Sequence, residues 1–292
     1  MQRMSDSMHV FDRAAVRRHR DRAAATIGGV ADILNDAASR LLDRLDDTTR
    51  RFTAALDVGG RGIVAPLLRA RGIPTLACDL SPLMAAGAGA PCAVADEEAL
   101  PFAPASFDLI VASLSLHWVN DLPGALIQLR HALRPDGLLL ASLPALGTLA
   151  ELRRALTATE AALRGGAAPR VSPFPDLRDC AGLLQRAGFA LPVADAEEIA
   201  VLYADPLRLL RDLRHAGEAN AVVLRDRRPP PRDLFPAAVA ALPEQDGRVR
   251  ATLRLAILTG WAPGPDQPQS LRPGSAKHSL AEALRAPPPE QG

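Results

Sequence analysis

The 292-residue chain reads as an α/β protein with a doubly wound, mostly parallel sheet. Three observations predict this. Short apolar runs at 54–58, 74–79, 92–95, 107–113 and 137–142 alternate with helical stretches at 64–71, 82–88 and 121–133, the rhythm of βαβ crossovers. FDLIVAS (107–113) is almost continuously apolar, as a strand covered on both faces must be. AALDVGGRGIVAP (54–66) passes from strand through a glycine cluster to helix, the form of a nucleotide-binding βα turn.

The elements follow in order. VFDRAAVRRHRDRAAATI (10–27) is a charged helix, and 30–46 a second with Ile33, Leu41, Leu42 and Leu45 on one face. Together they form a helical N-terminal cap, 1–50. The alternating core occupies 51–205. Its later part is helical from 148 to 188, broken by RGGAAPRVSPFP (164–175), and ends in a strand, EIAVLY (198–203). A helix starts after Asp205-Pro206. RDRRPPPRD (225–233) is a loop, because a proline run continues neither regular structure. RATLRLAILTG (250–260) is the last strand, and arriving after the alternation it predicts antiparallel pairing at one edge. Residues 206–262 thus read as a helical lid or insertion plus that strand, and 263–292 as an irregular tail.

Composition narrows the function. Hydrophobic residues make up 48%, enough for a sizeable core. Lys+Arg 34 against Asp+Glu 33 leaves a net charge of +1, which gives no electrostatic footprint for nucleic acid. Lys277 is the only lysine, a bias that reflects base composition more than chemistry. Three cysteines, Cys78, Cys92 and Cys180, contain no C-x-x-C pair and leave one unpaired in any disulfide scheme, so a reducing compartment is expected. No apolar run reaches the roughly 18 residues of a membrane helix. Asp6, Asp12 and Asp21 interrupt the Arg-rich start, unlike a transit peptide. A cytoplasmic protein without a membrane span is expected.

The glycine loop admits more than one reading. GRGIVA (60–65) fits the dinucleotide pattern G-x-G-x-x-G/A, which is weak alone. DVGGRG (57–62) resembles the D-x-G-x-G-x-G motif of S-adenosylmethionine (SAM) methyltransferases, with Arg61 and Ile63 standing where that motif has glycines. A tight βα turn without ligand is the third. Asp79, in LACDLSP, ends the next strand 22 positions after Asp57, and a carboxylate there suits the ribose of NAD or SAM equally. Ser81 before Pro82 is the better helix cap, which frees Asp79. Asp96 and Glu97 fall at the third strand tip, where an adenine amino group would lie.

SFDLIVASLSLHWVNDLPGALIQLRHALRPDGLLL (106–140) is similar to the fourth and fifth motifs of class I SAM-dependent methyltransferases. FDRAAVRRHRDRAA (11–24), RVSPFPDLRDCAGLLQRAGF (170–189), RDLRHAGEANA (211–221) and TGWAP…LRPGSAKHSLAEAL (259–284) narrow the resemblance to the mitochondrial complex I assembly factor 5 family and its bacterial relatives. The malonyl-carrier-protein methyltransferases of biotin synthesis are similar at greater distance.

The resemblance implies a Rossmann-like methyltransferase sheet with SAM as cofactor rather than NAD. It places Asp57, Gly59 and Gly62 in the cofactor loop, with Gly60 at a variable position. Asp79 becomes the ribose-binding acid with Leu80 beside it, and Asp96 meets adenine with Glu97 next to it. Ser113 and Leu114 lie beneath the methionine moiety. His117, in HWVND after the fourth strand, is the candidate general base. Trp118 and Asn120 are candidate walls of the acceptor pocket, and Asp121 caps the next helix. One of Arg17, Arg18 and Arg20 is expected to meet the methionine carboxylate. Six histidines (9, 19, 117, 131, 215 and 278) show no short metal-binding spacing, so no metal is expected. Methyl transfer to an unidentified protein or small-molecule acceptor is the first functional reading. The assembly-factor resemblance implies an alternative: hydroxylation of an arginine of a respiratory complex I subunit, or non-catalytic assembly with such a subunit as partner.

Overall fold

Alternate side chains of a strand covered on both faces must each find a helix layer, and the strands beside the glycine loop do. The computed structural model describes residues 9–265 and 267. In order they form α1 (Arg13–Ala23), α2 (Ala31–Leu42), β1 (Ala55–Val58), α3 (Val64–Ala70), β2 (Thr75–Asp79), α4 (Pro82–Gly87), β3 (Cys92–Val94) and β4 (Phe107–Ser113). There follow α5 (Leu122–Ala132), β5 (Leu133–Pro144), α6 (Ala150–Arg164), α7 (Leu177–Arg186), β6 (Ala190–Tyr203), α8 (Pro206–His215), α9 (Leu234–Ala240), β7 (Glu244–Gln245) and β8 (Arg248–Trp261). The segment 271–284 and nearly all of the 263–292 tail lie outside the described residues.

The sheet runs β3-β2-β1-β4-β5-β8-β6, with β7 paired to β8. β1 to β5 are parallel, and β8 enters antiparallel between β5 and β6. Antiparallel pairing therefore sits at one side of the sheet, as the late strand implied. Leu109 and Val111 of β4 pack with Leu34 and Leu41 of α2 and Val64 and Leu68 of α3. Ile110 and Ala112 face the other way, into Leu126 and Leu129 of α5 and Leu184 of α7.

Helix starts follow side-chain chemistry. Asp12, Ser81, Asp121, Asp176 and Asp205 each accept a backbone N–H of the first turn they precede, satisfying donors a helix leaves open. The charged helix expected over 10–27 stops at Ala23, and a short 3₁₀ turn containing Gly28 and Gly29 leads into α2. One strand differs more. β6 begins at Ala190, not Glu198, because its whole length pairs along β8 from Ala190↔Trp261 to Tyr203↔Val249. ALPVADAE, rich in alanine and holding Pro192 and Asp195, has little strand preference of its own, and its long partner supplies it.

Candidate functional site

The sheet order reverses between β1 and β4, and such a switch point opens a crevice beyond the carboxyl ends of the strands. Asp57 stands one residue before the end of β1 there. Its Oδ2 accepts the Ala65 N–H at 2.9 Å, drawing the start of α3 back over the loop. Burial pushes this carboxyl up to about 7. Gly59 adopts φ 67°, and a Cβ on it would lie 2.6 Å from Ser115 Cβ and 3.1 Å from Glu97 Oε1. A Cβ on Gly60 would strike the Asp57 carboxylate. Bare backbone is therefore required at both positions.

Arg61 departs from the glycine pattern without changing the backbone. Its φ is 54°, the left-handed region a glycine would occupy, at a cost of about 1–2 kcal/mol for a side-chain-bearing residue. Its guanidinium offsets that strain by donating to the Leu114 carbonyl at 2.6 Å and to the Glu218 carboxylate. Ile63 has φ −95°, so no glycine is needed there.

The N-terminal helix closes the other side. Arg13 and Arg20 are seven residues apart, two turns of α1, and so share a face. Arg20, 1% exposed, donates to Asp79 Oδ1 at 3.2 Å and Glu97 Oε1 at 2.8 Å. Arg13 donates to Asp96 and Glu97. Burial alone would raise the Glu97 carboxyl, but Arg20 and Arg13 outweigh it and hold the group at about 2. Two guanidiniums thus face four carboxylates, the fourth being Glu98 at 3.9 Å from Arg13. Several polar atoms of this cluster lie buried with no partner among the described residues: Arg20 Nε and Nη2, Asp79 Oδ2 and Asp57 Oδ1. Buried polar atoms are normally paired, so an unpaired set around one crevice points to a ligand.

A second chamber adjoins this rim, a cavity of about 380 Å³ whose inner end is formed by Arg61, Leu114, His117, Trp118 and Glu218. The 3₁₀ turn Leu116–Trp118 brings the two rings to Glu218, which accepts from His117 Nε2 at 2.9 Å and Trp118 Nε1 at 2.8 Å. Burial alone would raise the Glu218 carboxyl, but His117 and Arg61 bring it down to about 2. His117 Nδ1 and Arg61 Nε remain buried without partners among the described residues.

The expected site residues separate into three groups. Asp57, Gly59, Gly60, Asp79, Asp96 and Glu97 gather around the crevice, Gly62 turns toward the backbone of Gly87 and Ala88 instead, and Leu114, His117 and Trp118 line the chamber. Ser113 and Leu80 are buried supports. The Ser113 hydroxyl lies 3.4 Å from that of Ser142, and Leu80 packs against Phe11 and Trp118. Asn120 is a correction. It is not part of the chamber lining, because its carbonyl accepts the Val10 and Phe11 N–H groups at 2.8 Å and its amide donates to Glu98. Asn120 fastens the N-terminal segment instead. Of the basic run only Arg20 reaches the crevice; Arg17 and Arg18 are exposed. Glu218 and Arg13 escaped the sequence reading. The seven-residue spacing to Arg20 was the available signal for Arg13, whereas nothing local marks Glu218. Among the described residues, no three His, Cys, Asp or Glu side chains converge as metal ligands. No helix among them is long and apolar enough to cross a membrane.

A family model described as "Methyltransferase domain" matches residues 30–192, more than half of the chain. This chain belongs to the methyltransferase-domain family. Its relatives extend the match well beyond these residues. It is 38% identical to the Danio rerio arginine-hydroxylase NDUFAF5, mitochondrial, over 94% of this chain and 89% of the relative. The Homo sapiens counterpart is 37% identical over 94% and 84%. A malonyl-acyl-carrier-protein O-methyltransferase of Laribacter hongkongensis is 35% identical over 86% of this chain and 90% of its own. Among solved structures, the YcgJ protein of Bacillus subtilis superposes with a TM-score of 0.54 at 14% identity, over 76% of this chain and 97% of that one. That likeness is one of fold.

Proposed function

We propose that the crevice binds SAM and that the chain transfers its methyl group to an acceptor held in the adjoining chamber. The observation that carries this reading is the buried cluster at the rim. Four carboxylates, Asp79, Asp96, Glu97 and Glu98, face two guanidiniums, Arg13 and Arg20, and this acidic surplus suits a cofactor of net charge +1. Asp79 Oδ2 is open to accept from ribose hydroxyls, and the open nitrogens of Arg20 to donate to the methionine carboxylate. Asp96 and Glu97 would flank adenine. When bound, the cofactor supplies a methyl group already activated on a sulfonium. The chain then has to hold the acceptor in line, an orientation effect worth up to roughly 7–11 kcal/mol. His117 Nδ1 is the nitrogen able to take an acceptor proton, with Nε2 steadied by Glu218. We read α8 and α9 as the lid of this chamber and the cytoplasm as the working compartment.

The test is incubation with methyl-labelled SAM and a lysate of the parent cell. Label in an acceptor is the expected result, with its loss in Asp79→Asn; SAM that binds without any transfer would overturn methyl transfer.

The relatives favour a second reading. Two matches of 37–38% identity across 94% of the chain bear the name arginine-hydroxylase. On that reading the chain hydroxylates an arginine of a respiratory complex I subunit while assisting assembly. Among the described residues the donor set does not fit a non-haem iron centre of two histidines and a carboxylate, so no step through such an iron is drawn. A +16 mass change on an arginine of a quinone-oxidoreductase subunit, dependent on this chain, would favour this second reading over the first.

A further inference from the structure

The chamber beyond the polar rim is apolar, and its lining restricts what it can hold. Its volume of about 380 Å³ falls in the range that encloses a small organic ligand. Leu34, Leu152, Leu156, Val171, Leu209 and Phe235 line it, drawn from α2, α6, α8, α9 and the connection before α7. Such a wall rejects an unpaired charge and favours hydrocarbon.

The lining charges are already matched. Arg61 pairs with Glu218, Arg170 with Glu160 at 2.5 Å, and Asp212 lies 3.7 Å from Arg208, while Arg214 is exposed to solvent. At the inner end two buried atoms still lack a partner, Arg61 Nε and His117 Nδ1. Arg61 Nε is a donor, and His117 Nδ1, in a neutral ring whose Nε2–H donates to Glu218, is an acceptor. A neutral hydroxyl, which accepts and donates at once, satisfies both. A guanidinium or ammonium head would instead meet Arg61, of like charge, beside a Glu218 that already accepts from three donors.

We propose that the chamber binds an apolar chain or ring system ending in a neutral hydroxyl, its head toward Arg61 and His117. This ligand class is the acceptor class of the site, and it rests on the cofactor reading of the neighbouring crevice. It separates the two functions above, since a substrate arginine carries the head that the chamber disfavours.

The probe is N-phenyl-1-naphthylamine, a neutral apolar fluorophore, titrated into the full chain. Saturable binding of one probe per chain is expected, displaced by 1-decanol and at least tenfold more weakly by decylguanidinium. Ile33→Trp, at a half-buried lining position, should weaken the probe at least tenfold without changing the heat of SAM binding. Leu213→Trp is the second variant should the first fail to fold. Non-saturable probe signal, equal affinity in a folded Trp variant, or decylguanidinium binding as tightly as decanol would each overturn the proposal. SAM calorimetry on the same sample keeps the readings apart: heat without probe binding sinks only the apolar ligand, and probe binding without heat sinks only the cofactor.

Discussion

Asp79 spends one carboxylate oxygen on Arg20 and the Ser81 N–H and keeps the other unpartnered, which on the proposed reading leaves it for the cofactor. Asp79→Asn should therefore lower SAM affinity at least tenfold by calorimetry, with a smaller loss of stability because Glu97 still holds Arg20. Arg20→Ala is different in kind. It strips a fully buried cation from two buried carboxylates, and uncompensated buried charge costs about 3–5 kcal/mol, measurable by denaturant unfolding. Gly59→Ala combines left-handed backbone strain with the approach to Ser115, for a destabilisation of about 2 kcal/mol. The acid response also has a definite sign. Glu97 and Glu218 fall from an ordinary 4.5 to about 2 in the folded chain. The native state thus resists protonation, and stability present above pH 4.5 drains away as pH falls toward 2. Unfolding midpoints measured across that window should drop steeply, and Glu97→Gln should flatten the slope.

α1 is held by polar fastenings as much as by packing. Phe11, Ala15 and Val16 form only a small apolar patch with Leu80, Trp118 and Val222, whereas Asn120 grips the backbone at residues 10 and 11. Asn120→Ala should leave the sheet intact and accelerate amide exchange at Val10 and Phe11, read by hydrogen–deuterium exchange. This element also shows how far sequence carries. The alternation of strands and helices, the caps Ser81 and Asp121, and the loop acids at 57, 79, 96 and 97 were all legible, because each follows from local period or local side-chain chemistry. That one arginine of the basic run turns inward was legible, but not which one, nor that it pairs with Asp79 and Glu97, since helix facing depends on what α1 packs against. Glu218 was not legible at all. Its partners Arg61, His117 and Trp118 lie 157, 101 and 100 residues away in sequence, and no local pattern encodes such a meeting. The early start of β6 was hidden for the same reason, its conformation being fixed by β8.

The whole molecule joins two compartments at one strand switch. Between β1 and β4 the polar crevice, roofed by α1, abuts the apolar chamber under α6, α8 and α9, and Arg61 spans both from a cofactor-loop backbone to a chamber carboxylate. Occupation of the crevice should thus be felt in the chamber through Arg61. Arg61→Gly restores the glycine pattern but removes that link, so it should keep SAM binding within about threefold while weakening the apolar probe more, a separation set by which contacts each ligand shares. The most direct single measurement is isothermal titration of the purified full chain with SAM and, separately, with its demethylated product. Saturable heat at one site per chain, reduced at least tenfold in Asp79→Asn, is the expected result; no heat with either compound, while NADH binds, would contradict a SAM site at this rim.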